Sequence, residues 1–204
     1  MTVTTWMSLI AICILGAMSP GPSLVVVARH TLSGGRLHGI VTCWSHAVGI
    51  GIYALLTIMG LAVLIQQSPT VFKVLTFGGA FYLAYMGYKS LTSKGGVASR
   101  LEGGKAVTLW QAARDGFAIS ILNPKIALFF IALFSQFVVE GSSYTDKAII
   151  AVTPFLIDGL WYTIVAFLLS TPGLLERLRR KAVVVDRLCG VMLIGLAARV
   201  VVTL

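Results

Sequence analysis

Two proline breaks interrupt long apolar stretches of this chain, one in each half. The first, Ser19-Pro20-Gly21-Pro22-Ser23, lies in a run over about 5–28, and the second, Asn123-Pro124-Lys125, in a run over about 116–139. In lipid, every backbone N–H and C=O needs a partner within the protein, so a break at membrane depth is costly. It is tolerated where the backbone lines a cavity or packs against neighbouring helices, and unwound points of this kind form substrate sites in transporters. The second break also carries a lysine.

The runs around the breaks are typical of the chain. Of its 204 residues, 57% are hydrophobic and 11% charged, against roughly a quarter charged in a soluble domain. This composition predicts an all-α, polytopic membrane protein and leaves no room for a separate soluble domain. No lysine or arginine precedes the first apolar run, so it reads as a retained helix and not as a cleaved signal. Runs of roughly 20 apolar residues span a core of about 30 Å. On that measure six spans are expected, at about 5–28, 40–65, 70–91, 112–139, 147–170 and 183–203.

The net charge of +9 is distributed by loop, which argues against a nucleic-acid surface. Segment 29–39 holds Arg29 and Arg36; segment 88–114 holds Lys89, Lys94, Arg100, Lys105 and Arg114; segment 171–187 holds Arg177, Arg179, Arg180, Lys181 and Arg187. The alternate loops hold only Lys73 and Lys147. The positive-inside rule makes the three basic segments cytoplasmic and both termini periplasmic. Six spans divide into two halves of three, and an odd number per half inverts the second half relative to the first. The expected organisation is one transporter domain over 1–204: a first repeat at about 1–92, a cytoplasmic linker at about 93–111 and an inverted second repeat at about 112–204. Each repeat begins with a proline-broken helix.

Helix rise of about 1.5 Å per residue puts Pro20, Pro22, Lys125 and Asp158 near the midplane. Asn123, the only asparagine in the chain, sits beside Lys125. An unpaired charge at that depth costs about 2.5 kcal/mol or more, so Lys125 and Asp158 are expected either to pair or to share an aqueous cavity. Pro154, four residues before Asp158, is expected to kink its helix. His46 reads as a hydrogen-bonded packing histidine, with a proton-relay role as the alternative. Arg114 and Asp115 read as a pair at the inner interface, and Arg199 as an arginine reaching the outer one. Glycines 49, 51, 60, 78, 79 and 87 permit close helix contact, within one bundle or between copies, which leaves a homo-oligomer open. Cys13, Cys43 and Cys189 lie in apolar runs away from both breaks and form no CxxC pair. That placement excludes a thiol-relay oxidoreductase.

Three segments carry a family resemblance: Gly16-Ala17-Met18-Ser19-Pro20-Gly21-Pro22, Gly79-Ala80-Phe81-Tyr82-Leu83-Ala84-Tyr85-Met86-Gly87, and Ile121-Leu122-Asn123-Pro124-Lys125-Ile126-Ala127-Leu128-Phe129-Phe130. They resemble the lysine exporter family, and within it the homoserine/threonine exporter branch. Asp158-Gly159-Leu160-Trp161 and segment 190–195 are similar to that family's last two helices. The resemblance implies a bacterial inner-membrane exporter of amino acids or their derivatives, driven by the proton-motive force. It implies functional importance for Pro20, Gly21, Pro22, Asn123, Pro124, Lys125 and Asp158. His46 departs from the small or apolar residues expected at its place.

The expected function is therefore a secondary exporter, not an enzyme, with no cofactor and no metal. Its partners are an amino-acid substrate, protons and the lipid bilayer. Ser19, Pro20, Gly21, Pro22, Ser23, Asn123, Pro124 and Lys125 are the expected substrate-binding residues. Half-helix N-termini or Lys125 would meet a substrate carboxylate. Asp158 is the expected proton carrier, exchanging substrate ammonium for a proton at one carboxylate. A non-transporting membrane scaffold or assembly factor is the alternative; it leaves charged residues beside broken helices at mid-depth without a purpose.

Overall fold

The computed structural model describes residues 1–93, 101–138, 143–171 and 173–203, and these contain eight helices and no strand. They are α1 (Val3–Met18), α2 (Pro22–Gly34), α3 (Arg36–Gln67), α4 (Pro69–Leu91), α5 (Leu109–Leu122), α6 (Pro124–Phe134), α7 (Tyr144–Leu169) and α8 (Leu174–Thr203). Local chemistry sets their starts. Thr2, Thr108 and Ser143 cap α1, α5 and α7 by accepting the backbone N–H of Thr5, Gln111 and Asp146, satisfying donors that a helix leaves open at its first turn. Proline opens α2, α4 and α6, at the one helical position where its missing N–H is harmless.

Both expected breaks are present. α1 and α2 meet at a 61° bend, and α5 and α6 at a 52° bend. With each bent pair taken as one rod, the eight helices form six rods, and their order matches the six expected spans. The helix α3 or α7 alone, and each bent pair together, is long and apolar enough to cross a membrane. The protein is thus an all-α, multi-pass membrane protein with proline-broken helices. The other rods are α4 and α8; α8 begins well before 183, so the segment around Arg187 is helix, not loop. α7 runs unbroken through Pro154. The basic residues Lys94 and Arg100, Gly95 and Gly96 of the linker, and the side chains of Arg177, Arg179 and Arg180 lie outside the described residues.

Packing joins the two halves. α3 lies against α5 and α7, and α4 against α8 and α6. The buried apolar residues form two clusters. One gathers Leu9, Ile58, Leu83, Phe130, Phe134 and Ile150 from α1, α3, α4, α6 and α7. The other gathers Val27, Cys43, Leu101, Tyr162 and Val165 at the end where α2 and α7 finish and α3 begins. Linker residue Leu101 is buried there, and the Val107 carbonyl lies 2.8 Å from Nε2 of His38, so part of the linker is folded onto α3. Between the two clusters lies a layer of buried polar side chains: Ser19, Ser23, His46, Asn123 and Asp158.

Candidate functional site

The polar layer is built where the two breaks meet. Ser19 ends α1, and its N–H still bonds the Leu15 carbonyl at 3.0 Å. Its own carbonyl faces the other break and accepts from Lys125 Nζ at 2.5 Å. The C-terminal end of a helix carries orphan carbonyls and partial negative charge, so the ammonium of α6 neutralises the end of α1. Asn123 caps α6, its side-chain oxygen accepting the Lys125 N–H at 3.0 Å. Asn123 Nδ2 donates to Ser23 Oγ, 3.3 Å away on the first turn of α2. Two helix N-termini, α2 and α6, thus begin at one site, each with the positive end of its dipole there. Glycine at position 21 leaves room for the lysine: a Cβ there would lie 3.3 Å from Nζ and 3.4 Å from Cδ.

A second set of bonds runs from the breaks to α3 and α7. His46 Nε2 is 2.9 Å from Ser23 Oγ, and His46 Nδ1 is 2.7 Å from Asp158 Oδ2. The imidazole is held edge-on against Tyr162, with ring centroids 5.4 Å apart. His46 is 1% exposed and Asp158 7%, so solvent does little to screen the pair. With Asp158 ionised and His46 neutral, Nδ1 donates to the carboxylate and Nε2 accepts from the Ser23 hydroxyl, whose oxygen stays free to accept from Asn123. Every bond then points from the second break towards Asp158. A further proton on His46 makes Nε2 a donor and forces the Ser23 hydroxyl to turn. Ser23 thus joins the His46–Asp158 pair to both breaks by hydrogen bonds.

Two cavities share this site. A narrow one of about 50 Å³ is lined by His46, Asp158, Tyr162, Ser23 and Pro154, with Phe129 and Phe130 on its apolar side. A water needs about 10–15 Å³ of such space, so this cavity takes a few waters, whereas small-molecule sites measure about 300–1,000 Å³. A wider pocket of about 530 Å³ is lined by Pro20, Pro22 and Pro124, by the later part of α4 from Tyr82 to Ser90, and by Thr92 and Ser93 just beyond it. Ser19, Gly21, Asn123 and Lys125 border both. All the expected substrate-binding residues therefore gather around one junction, with Asp158 in the narrow cavity beside it.

Of the two arrangements expected for Lys125 and Asp158, the structure has the shared cavity and not the pair: among the described residues Asp158 pairs with His46, and Lys125 bonds the Ser19 carbonyl. One sequence expectation is corrected. Asp115 does not pair with Arg114. It lies 3.2 Å from His30 Nε2 on α2 and accepts from Gln111 at 3.5 Å, because adjacent residues on a helix point in different directions. His46 is hydrogen-bonded and buried, as a packing histidine would be, yet both of its partners belong to the polar layer. The one available signal was a polar ring at a place where the resemblance calls for something small or apolar. Arg199 is exposed near the end of α8.

The family model described as LysE type translocator matches residues 14–204. The leucine efflux proteins of Salmonella typhimurium (strain LT2) and Salmonella typhi are each 31% identical to the chain over 140 residues, 66% of this chain and 64% of theirs. An uncharacterized membrane protein of Haemophilus influenzae (strain Rd) is 28% identical over 138 residues, 66% of each chain. The match therefore spans a little under two thirds of the leucine efflux proteins. No solved structure matches the chain. With a family match over nearly its whole length and a multi-pass helical architecture, the chain belongs to the LysE-type translocator family, a family of transporters and not of enzymes.

Proposed function

We propose that this chain is a secondary exporter that moves amino acids or amino-acid derivatives outward across a bacterial inner membrane by proton antiport. The observation that carries the proposal is the hydrogen-bonded chain Asp158–His46–Ser23–Asn123, which links a protonatable pair to both broken helices. In this reading Asp158, with His46, loads and releases the proton. Lys125, Asn123 and the N-termini of α2 and α6 meet the substrate carboxylate, while Ser19, Pro20, Gly21, Pro22, Ser23 and Pro124 shape the junction around it. The motifs favour the homoserine/threonine exporter-like branch. The leucine efflux relatives, and Tyr82, Tyr85 and Met86 lining the wide pocket, favour an uncharged, apolar substrate side chain.

The same reading makes the chain two inverted repeats, at about 1–92 and 112–204, joined by the linker at about 93–111. The paired bends and the packing of α3 on α7 and of α4 on α8 support it. The wide pocket is bordered by Lys89, Thr92 and Ser93 at the basic end of α4, so the conformation is read as open to the cytoplasm. The larger apolar cluster closes the opposite side. A periplasm-active reporter fused after residue 204 is expected to give signal, and one fused within 95–104 none; the reverse pattern would overturn the orientation. The transport claim is tested in proteoliposomes supplied with an equimolar mixture of the twenty proteinogenic amino acids. A pH gradient should drive movement of a subset, detected by mass spectrometry, and collapsing the gradient should stop it. Movement of none of the twenty would sink the proposal.

A further inference from the structure

An amino acid brings an ammonium as well as a carboxylate, and the structure raises a difficulty for the ammonium. Asp158 is taken by His46 at 2.7 Å, in a cavity that holds only a few waters. The wide pocket, large enough for an amino acid, has a carboxylate of its own. Asp186 of α8 borders it, across from the breaks and Lys125, and is 2% exposed. Its Oδ2 accepts from Ser93 Oγ at 2.5 Å. Its Oδ1 is fully buried and has no hydrogen-bond partner among the described residues. Among the ion pairs of the described residues none includes Asp186. A buried carboxylate oxygen without a donor is expensive.

The side chain is also held in place. Ser90 Oγ donates to the Asp186 backbone carbonyl at 2.7 Å, so the last turn of α4 and Ser93 just beyond it grip the main chain and the side chain of this residue. One turn further along α8, the helices cross so closely that a Cβ on Gly190 would lie 2.7 Å from the Gly87 carbonyl oxygen. A rigid, desolvated acceptor with one lone oxygen, in a pocket of about 530 Å³ that also exposes an ammonium and a helix N-terminus, is complementary to a zwitterion.

We propose that Asp186 is a substrate-binding residue, whose Oδ1 accepts from the α-ammonium of an amino acid in the wide pocket while the carboxylate of that substrate turns towards the Lys125 side. This rests on the proposed amino-acid export and adds to it the group that recognises the amine. It also separates the substrate's cationic partner, Asp186, from the proton's carrier, Asp158.

The experiment uses the full chain in proteoliposomes with the same twenty-amino-acid mixture. For the parent, N-acetylated derivatives of the amino acids it moves, which lack the ammonium, should compete at least about 30-fold less well than the free amino acids. For Asp186→Asn, which keeps the shape and an oxygen for Ser93, the half-saturating concentration should rise about 10- to 100-fold, with the saturated rate within about twofold. Its preference for free over N-acetylated compounds should shrink to near unity. Half-saturation and preference both unchanged in Asp186→Asn would overturn the proposal. So would equal competition by the N-acetylated compounds on the parent, a result that does not depend on the variant folding. Failure of the parent to move any amino acid would instead overturn the export reading, and this inference with it.

Discussion

Asp158→Asn is expected to insert and fold like the parent and to lose pH-driven export by about 100-fold, near the top of what a site-to-site coupling of about 1–3 kcal/mol supplies. Asparagine keeps the volume, and its side-chain oxygen can still accept from His46 Nδ1, now 2.7 Å from the carboxylate. What it removes is the negative charge facing the imidazole and the oxygen that could carry the proton. The check compares substrate movement with and without a pH gradient at matched protein density. Undiminished, gradient-dependent export by the variant would show that Asp158 only props the ring and that the proton travels elsewhere.

Lys125→Met is expected to abolish export and to cost about 1–3 kcal/mol of stability, because the Ser19 carbonyl loses its donor. The double variant with Asp158→Asn distinguishes two physical pictures. If the lysine were the counter-ion of Asp158, each single substitution would strand a buried charge at about 3–5 kcal/mol, and removing both would restore stability. The lysine instead bonds a helix-end carbonyl and the aspartate bonds a histidine. Removing the second charge should therefore not rescue the loss caused by removing the first, and the double variant should stay inactive. Unfolding in detergent and uptake in proteoliposomes measure the two quantities. A double variant more stable than either single one, or exporting near the parent rate, would show that the pair is scaffolding.

The breaks were legible because proline's missing N–H and fixed φ act locally, and each falls where the chain bends. The order of the helical rods was legible from apolar run length. What sequence could not supply was the direction each side chain takes around its helix once helices cross. Depth placed Lys125 and Asp158 at one level, but His46, from α3, stands against the aspartate. Asp186 went unremarked for a related reason. Flanked by Arg187 and the basic run that ends at Lys181, it reads as a loop charge until α8 is seen to begin at Leu174, which puts it inside a helix packed on α4.

The two cavities that meet at Ser19, Gly21, Asn123 and Lys125 bear on how strictly such a machine can keep count. If proton and substrate sat on one carboxylate, occupancy by one would exclude the other sterically, and the exchange ratio would be enforced by contact. Here they would sit on separate residues, joined by turning hydrogen bonds, and nothing forbids both being bound at once. The ratio is then a matter of energy: coupling of about 3 kcal/mol makes the doubly loaded form about 150-fold rarer than independent binding would. Under the proposed antiport, cycles that slip, with a proton crossing unaccompanied, would become infrequent and not impossible, their frequency set by the bonds at Ser23.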